Sequence, residues 1–274
     1  MSAVTGWQEV GDRVWVRRYD PHDVNVTVIA GDRHVLLVDV RTSLREAVEV
    51  RDHIAELPVG PVTTVAFTHA HLDHCLGAGV FAGVPLWGTV GCRDALLGHG
   101  VGHLEQMPAW APEEDHAHLR ASPILPPDHT FRTRHRLALG GRDVDLRHLG
   151  HGHTDHDLVV HVPDAEVLVA GDLVEVGAPP QFGDAFPFQW PSTLAAFEAM
   201  GPEVVVPGHG AVTDHAFVAD QQSDLVHLAS LCREALGGIR GRDSVIARSP
   251  FPRATTEIAL ARAAVTPGGP GGGG

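Results

Sequence analysis

Short apolar runs, rich in valine and leucine and bounded by glycine, proline or aspartate, recur along the chain. Runs of this kind predict β-strands, because aliphatic side chains pack well in a sheet while the bounding residues favour turns. The predicted strands cover residues 13–17, 24–30, 34–40, 62–68, 85–88, 144–149, 158–162, 166–170 and 204–207. Helical segments follow strands in both halves of the chain, which favours a sheet-rich α/β sandwich covered by helices.

Amphipathic segments predict helices at residues 43–57, 191–200 and 214–236. The first begins at Ser43, and Glu46 lies three residues later, which is the pattern of a capping box. The third carries apolar residues at helical spacing on one face, and they are Leu225, Leu228, Ala229, Cys232 and Leu236. Cys232 is therefore interpreted as a core residue rather than a reactive thiol.

The segment THAHLDH, which ends at His74, places four side chains suited to metal binding within six residues. Imidazole and carboxylate suit a borderline divalent cation such as zinc. His69 and His71 are two residues apart, so in an extended segment they point to the same side and can bind one ion. Asp73 and His74 follow where the chain must turn, and can face a second ion. Further candidate ligands recur at the ends of predicted strands, and they are His153 (with the nearby His148 or His151 as alternatives), Asp172 and His209. Because the chain has 20 histidines, a dense cluster of them does not by itself identify a metal site. Separated motifs in this order, however, predict a two-metal site.

This order of residues, H-x-H-x-D-H followed by a histidine, an aspartate and a final histidine, resembles the metallo-β-lactamase fold superfamily over residues 24–212. The resemblance implies a four-layer αββα sandwich. It also implies a ligand assignment, in which His69, His71 and His153 hold one metal, Asp73, His74 and His209 hold the other, and Asp172 bridges the two. Asp39, at the end of an early predicted strand, is expected to orient a ligand rather than to bind metal.

The ligand set predicts a reaction. Two divalent ions that share a water lower its pKa from 15.7 to about 7 and supply hydroxide at neutral pH. We therefore predict a dinuclear hydrolase with two zinc ions (iron or manganese being acceptable to the same donors), in which a metal-bridging hydroxide cleaves a small-molecule ester, thioester, lactone or amide. Asp73 is the predicted catalytic residue, because it would also move a proton from the nucleophile to the leaving group.

Other activities of the superfamily fit the sequence less well. A persulfide-dioxygenase-like oxidoreductase would need one iron held by two histidines and an aspartate, and the second site would be superfluous. A β-lactamase with a cysteine on the second metal is disfavoured, because no cysteine lies between His153 and His209. The all-histidine subclass lacks the bridging aspartate that Asp172 supplies. A lactonase that uses an active-site tyrosine is disfavoured because the one tyrosine, Tyr19, precedes the ligand motifs.

Two further alternatives are a phosphodiesterase and a binding or sensor protein. The net charge of −14 repels polyanions, which disfavours phosphodiester substrates and nucleic-acid partners. Degenerate members of the superfamily that bind without catalysis lose ligands, and none is missing here. We therefore expect a small-molecule substrate. The pattern leaves the oligomeric state open.

Composition sets the remaining expectations. The chain of 274 residues is 43% hydrophobic and contains no lysine. Its three cysteines have no paired spacing, and its N-terminus has no charged segment followed by an apolar one, so we predict a cytoplasmic protein without membrane contact. A single metallo-β-lactamase-like domain is expected over residues 1–265, with an insertion near the site at 98–130 and C-terminal helices within 214–265. The Gly/Pro tail at 266–274 is expected to be disordered.

Overall fold

A computed structural model describes residues 6–106, 113, 116–266 and 268 of the protein. Over this part of the chain the strands are β1 Gln8–Gly11, β2 Val14–Tyr19, β3 Val24–Ala30, β4 Val35–Val38, β5 Thr64–Ala66, β6 Leu86–Thr89, β7 His129–Phe131, β8 Arg134–Ala138, β9 Asp143–Arg147, β10 Val159–Val162, β11 Val167–Glu175 and β12 Val204–His209. The α-helices are α1 Leu44–Ile54, α2 Leu72–Cys75, α3 Val90–Gln106, α4 His116–Ala121, α5 Trp190–Ala195, α6 His215–Leu236, α7 Arg242–Arg248 and α8 Arg253–Ala263. Short 3₁₀ turns lie at Leu76–Phe81, Pro163–Ala165 and Glu198–Met200.

The strands form two halves of one hydrogen-bonded sheet. The N-terminal half has the order β7-β6-β5-β4-β3-β2-β1, and the C-terminal half has the order β12-β11-β10-β9-β8. The two halves join where His209 of β12 pairs with Val24 of β3. The pairs β4–β5, β5–β6, β6–β7 and β11–β12 are parallel. The junction of the halves therefore lies beside a candidate metal ligand.

Three apolar clusters separate the layers. One contains inward side chains of both halves, such as Ile29, Leu36 and Val206, and forms the interior between the facing sheets. A second packs the other face of the N-terminal half against α1 and α2, and a third packs the C-terminal half against α5, α6, α7 and α8. This arrangement is the αββα sandwich that the resemblance implied. Every residue of β3 is buried, because this strand has a packed layer on both faces.

The predicted helix starts agree with the structure. Ser43 accepts a hydrogen bond from the Glu46 amide at 3.3 Å, and the Glu46 carboxylate accepts one from the Thr42 amide at 3.1 Å, so the start of α1 is capped from both sides. Asp214 caps α6 by accepting from the Phe217 amide at 3.0 Å. Cys232 is fully buried in the cluster beneath α6, which confirms its interpretation as a core residue.

Every predicted strand is present, with ends shifted by a few residues. The largest shift is in β11, which was predicted to end at residue 170 but continues to Glu175. The predicted strands do not include β1, β7 and β8, which are short and largely polar, and α3 was not predicted, because its second half was assigned to the insertion. Two of the glycines in α3 have a packing role, because a Cβ at Gly91 would lie 2.6 Å from the Cβ of His156 and one at Gly100 would lie 3.0 Å from Ile124 Cδ1.

The expected insertion is only partly described. It begins within the last turns of α3 and also contains α4. α4 packs on α1, where the Leu44 amide donates to the Ser122 hydroxyl at 2.9 Å. Residues 107–112, 114 and 115 within the insertion lie outside the described residues. In the tail, Thr266 donates to the Arg262 carbonyl at 3.0 Å, and the residues after it lie outside the described part apart from Gly268. Among the described residues, none of the helices has the length and apolar character needed to cross a membrane.

Candidate metal centre

The structure brings the seven predicted ligands together at one edge of the two sheets. His69 and His71 follow β5, Asp73 and His74 lie in α2, and His153 lies in the loop between β9 and β10. Asp172 lies inside β11, and His209 ends β12. Apart from Asp172, each ligand lies at the end of a strand or in a turn or loop that follows one, which holds distant residues of the chain on a rigid frame.

Two glycines make room for Asp172. Gly171 has a φ of 56°, a left-handed conformation that glycine adopts without strain, and the register of β11 against β12 shifts on either side of it. A Cβ at Gly171 would lie 2.7 Å from the Cβ of Thr68. A Cβ at Gly208 would collide with a carboxylate oxygen of Asp172. Both glycines are therefore required for this carboxylate to reach the centre of the site.

One group of donors consists of His69, His71, His153 and Asp172, whose potential ligand atoms all lie within 4.8 Å of one another. His153 Nε2 is 2.9 Å from His71 Nδ1 and 3.5 Å from Asp172 Oδ2. His69 Nε2 is 3.7 Å from the same carboxylate oxygen. Three imidazoles and one carboxylate at these separations have the geometry of a site for one ion.

A second group consists of Asp73, His74 and His209. His209 Nε2 is 3.2 Å from His74 Nε2 and 3.4 Å from Asp73 Oδ2. Asp172 also faces this group, with Oδ1 at 3.2 Å from His74 Nε2 and Oδ2 at 3.4 Å from His209 Nε2. Asp172 therefore lies between the two groups, where one carboxylate can contact both ions.

Asp39 orients two of the imidazoles. Its carboxylate accepts hydrogen bonds from His74 Nδ1, from the Thr68 hydroxyl and from the Thr68 amide, each at 2.8 Å. The Thr68 hydroxyl, 3.0 Å from His69 Nδ1, accepts from that ring. With the proton held on Nδ1 in both rings, the Nε2 lone pairs of His69 and His74 point to the centre of the site.

Two further rings are held in the same way. His71 Nε2 donates to Asp184 Oδ2 at 3.2 Å, which leaves Nδ1 for the site. His209 Nδ1 donates to the His22 carbonyl at 2.7 Å, which leaves Nε2. Sequence analysis missed Asp184, because it lies in an irregular loop far along the chain and no spacing relates it to His71.

Several buried polar atoms of the site have no hydrogen-bond partner within the protein. They include His69 Nε2 and Asp172 Oδ1, although His69 is 1% and Asp172 5% exposed. An unsatisfied buried polar atom is costly, and such atoms facing one another across a small gap fit a bound cation. The donor set of imidazole nitrogens and carboxylate oxygens is also the one that zinc, iron and manganese accept. The residues present therefore fit a metal centre.

The protein without metal distributes charge unevenly over the two groups. Burial alone lowers the pKa of His209, but the carboxylates of Asp172 and Asp73 outweigh it and raise this pKa to about 12. His74 behaves likewise, with its pKa raised well above the usual value. Burial lowers the pKa of His153 to about 4, and that of His69 well below the usual range. A metal must therefore displace protons from the second group but not from His69 or His153.

The site opens into a cleft of about 560 Å³, which we call the metal cleft. Besides five of the candidate ligands, its lining includes the acids Asp23, Glu175 and Asp184. Glu175 is 4% exposed, and burial, with the nearby Asp172 charge, raises its pKa to about 8. Sequence analysis missed Glu175 because the strand was predicted to end before it. The sequence signal that could have found it is an acidic residue inside the apolar run that follows Asp172.

His156, three residues after His153, is buried rather than exposed to solvent. It is 6% exposed, and its Nε2 accepts a hydrogen bond from the Ala70 amide at 3.2 Å, while Nδ1 donates to Asp155 at 2.6 Å. His156 thereby fixes the backbone between His69 and His71. Thr154 gives its hydroxyl proton to Asp157 at 2.7 Å, so it organises the His153 loop rather than a ligand ring.

Other residues near the ligands have structural roles. Cys75 is buried beside the motif, with its thiol donating to the His71 carbonyl at 3.3 Å, and burial raises the pKa of this thiol well above its usual value. Phe182 and Trp190 are fully buried in the core of the C-terminal half rather than in the metal cleft. His148 donates to the Asp157 carbonyl at 2.8 Å, which supports the same loop.

Comparison with known proteins places the chain in a family. A sequence profile described as "Metallo-beta-lactamase superfamily" matches residues 19–209. The chain is 25% identical over 196 residues to the protein named Metallo-beta-lactamase type 2 of Bacillus sp. (strain 170), covering 69% of this chain and 68% of that protein. It is 33% identical over 89 residues to the protein of the same name from Bacteroides fragilis, but this covers only 31% of the chain and 36% of that protein. A shorter match, 32% identical over 80 residues, is to an (R)-specific secondary-alkylsulfatase of Pseudomonas sp and covers 28% of the chain and 12% of that protein.

Solved structures share the fold. A metallo-beta-lactamase from Pontibacter korlensis has a TM-score of 0.65 at 22% identity, covering 80% of this chain and 98% of that one. The DIM-1 metallo-beta-lactamase has a TM-score of 0.63 at 18% identity, covering 79% and 94%. At these identities the likeness concerns the fold alone. With a profile match over most of the chain and a shared fold, this chain belongs to the metallo-β-lactamase superfamily.

Proposed function

We propose that the protein is a dinuclear zinc hydrolase that cleaves an ester, thioester, lactone or amide bond in a small molecule. The observation that carries the proposal is the position of Asp172 between two complete donor groups, each with its own set of histidines. Superfamily membership and this cluster of donors fit a metal-dependent hydrolase, and the bond class and the two zinc ions are the proposed part. The acidic net charge of −14 supports a small-molecule substrate over a polyanion.

The residues of the site have two proposed roles, metal binding and orientation of the metal-binding rings. His69, His71 and His153 would hold one ion, and Asp73, His74 and His209 the other, with Asp172 shared. When bound, the ions would lower the pKa of a water and polarise the scissile carbonyl. Asp39, Asp184 and the His22 carbonyl hold the rings in the tautomers that metal binding needs.

Asp73 has the position of a proton carrier. Its side chain is 22% exposed, whereas that of Asp172 is 6% exposed, so Asp73 is the ligand carboxylate that a substrate can reach. Its Oδ2 lies 3.4 Å from His209 Nε2 and 3.6 Å from His74 Nε2. A carboxylate in this place can accept a proton from the nucleophile and return it to the leaving group.

The first test is the metal content of protein purified without added metal, measured by elemental mass spectrometry. The proposal predicts about two zinc ions per chain, as expected for a dinuclear site. His74→Ala should lose metal, while His227→Ala, a histidine exposed on α6, should keep it. A single iron per chain would overturn the proposal and favour an oxygen-dependent reaction of a thiol or persulfide. With zinc bound, a panel of small esters, thioesters, lactones and amides should include substrates, and loss of their turnover on chelation should be reversed by zinc.

A second candidate is a β-lactamase, because relatives and similar structures carry that name. In this chain the bridging position is held by Asp172. Hydrolysis of a chromogenic cephalosporin, compared with that of a simple thioester of similar size, separates the two candidates. The proposed function predicts that the thioester is the better substrate.

A further inference from the structure

We infer that the metal cleft favours a small-molecule substrate with a cationic group near the scissile bond and disfavours one with a carboxylate or phosphate there. This inference rests on the proposed hydrolase function and deepens it by naming the substrate class. It stands on the charges that line the cleft and on the pairing of the nearest arginines. Asp172, whose Oδ1 is buried without a hydrogen-bond partner, lines this cleft and marks it as a binding site.

The lining of the cleft is acidic. Asp23, Glu175 and Asp184 line it together with the ligand carboxylates Asp73 and Asp172, and no arginine lines the described cleft. The chain has no lysine, and all of its arginines lie among the described residues. The residues that the structure does not describe therefore cannot add an arginine or lysine to the cleft. A substrate anion would meet no permanent side-chain cation there.

The nearest arginines are already engaged. Arg18 binds the Asp23 carboxylate through two hydrogen bonds, of 2.8 and 2.6 Å, and so neutralises it. Arg262 donates to two backbone carbonyls, those of Asp184 at 2.8 Å and Ala185 at 3.0 Å. Its guanidinium lies 5.7 Å from the ring centre of Phe186. Neither guanidinium lines the cleft.

Asp184 is the carboxylate that a substrate would meet first. Its side chain is 46% exposed, and the hydrogen bond that the structure shows for it comes from His71. Because His71 is neutral when it binds a metal through Nδ1, Asp184 then has no cationic side chain as an ion-pair partner among the described residues. Together with Asp73 and Asp172, Asp184 would offset three of the four positive charges that two divalent ions would bring. Glu175 is neutral when protonated and adds a negative charge when ionised.

Electrostatics in a narrow cleft then select the substrate. Like charges held a few ångströms apart at a partly buried site repel, and opposite charges attract, by enough to change binding about tenfold. An anionic group placed beside the reacting carbonyl faces Asp184 and Glu175 without an arginine or lysine side chain to bind it. A cationic group in the same place is attracted by Asp184. Penicillins and cephalosporins carry a carboxylate, so the inference also disfavours them.

The test compares three thioacetates of similar size on the zinc-loaded protein. They are acetylthiocholine, its uncharged isostere neohexyl thioacetate, and the anionic S-acetyl-mercaptopropionate. We expect kcat/KM to fall in that order, with about a tenfold span that narrows at high salt. Ala178→Arg, at an exposed position of the lining, should reduce or reverse the span, while Ala178→Gln, which adds length without charge, should preserve it. Equal or faster turnover of the anion would overturn the inference.

A binding experiment separates this inference from the proposed function. Saturation-transfer NMR compares choline with neohexyl alcohol on the metal-loaded protein, and needs no turnover. We expect stronger binding of choline, weakened by Ala178→Arg. If choline is preferred but no ester, thioester, lactone or amide is cleaved, the hydrolase proposal fails alone. If thioacetates are cleaved while choline and its isostere bind equally, the charge inference fails alone.

Discussion

Replacing Asp39 by asparagine tests how the buried carboxylate controls metal binding. Asp39 is 2% exposed, and it accepts hydrogen bonds from His74 Nδ1, the Thr68 hydroxyl and the Thr68 amide. An asparagine that keeps its oxygen toward the Thr68 amide places its NH₂ group against His74 Nδ1. Because two donors cannot bond, the His74 proton must move to Nε2, the atom that faces the metal site.

The size of the effect follows from these contacts. A hydrogen bond to a charged group contributes about 1.5–3 kcal/mol, so losing one or two of them should lower the unfolding free energy of the metal-free protein by about 1.5–6 kcal/mol. Loss of the partner that orients a metal-binding histidine lowers metal affinity by about 10–100-fold. That loss corresponds to about 1.4–2.7 kcal/mol of binding free energy.

Two assays measure the two effects of Asp39→Asn. Urea unfolding of the metal-free protein gives the stability change, and competition with a chromophoric chelator gives the zinc affinity. The matched control is Asp145→Asn, which alters a buried aspartate bound by Arg134 and Arg136 away from the site and should leave zinc affinity unchanged. Parental zinc affinity in Asp39→Asn would refute the reasoning that this carboxylate sets the His74 tautomer.

Three further predictions concern the site. Asp73→Asn should keep most of the bound metal but lose about a hundredfold or more in turnover, and equal turnover on a true substrate would remove Asp73 from the mechanism. Although burial alone would lower the pKa values of His74 and His209, Asp172 and Asp73 raise them, so zinc must displace their protons and its affinity should rise with pH in competition titrations; a flat profile would contradict this. Folding raises the pKa of Glu175 from 4.5 to about 8, so stability present below pH 4.5 should be lost as pH rises toward 8. In the metal-free protein, Glu175→Gln should therefore make the unfolding free energy less dependent on pH over that window.

Local sequence patterns anticipated the elements better than their ends. Runs of valine and leucine located nine of the strands, because burial on a sheet demands such side chains over several consecutive residues. Edge strands such as β1 and β7 were not predicted, because a strand with one neighbour can be polar. The end of β11 at Glu175 was not predicted for a different reason. A buried acid contradicts the pattern of a strand, and only its neighbours in the cleft account for it.

The sequence by itself determined the superfamily and the order of the candidate ligands, because metal binding needs particular side chains at short spacings such as that of His69 and His71. The tertiary structure decided which groups surround them. Asp184 reaches His71 across more than a hundred residues of chain, and His156 reaches the backbone of Ala70 across 86. The position of Asp172 between both donor groups depends on Gly171 and Gly208 in adjacent strands. Contacts of this kind are set by the packing of strands against one another, and no local spacing in the sequence records them.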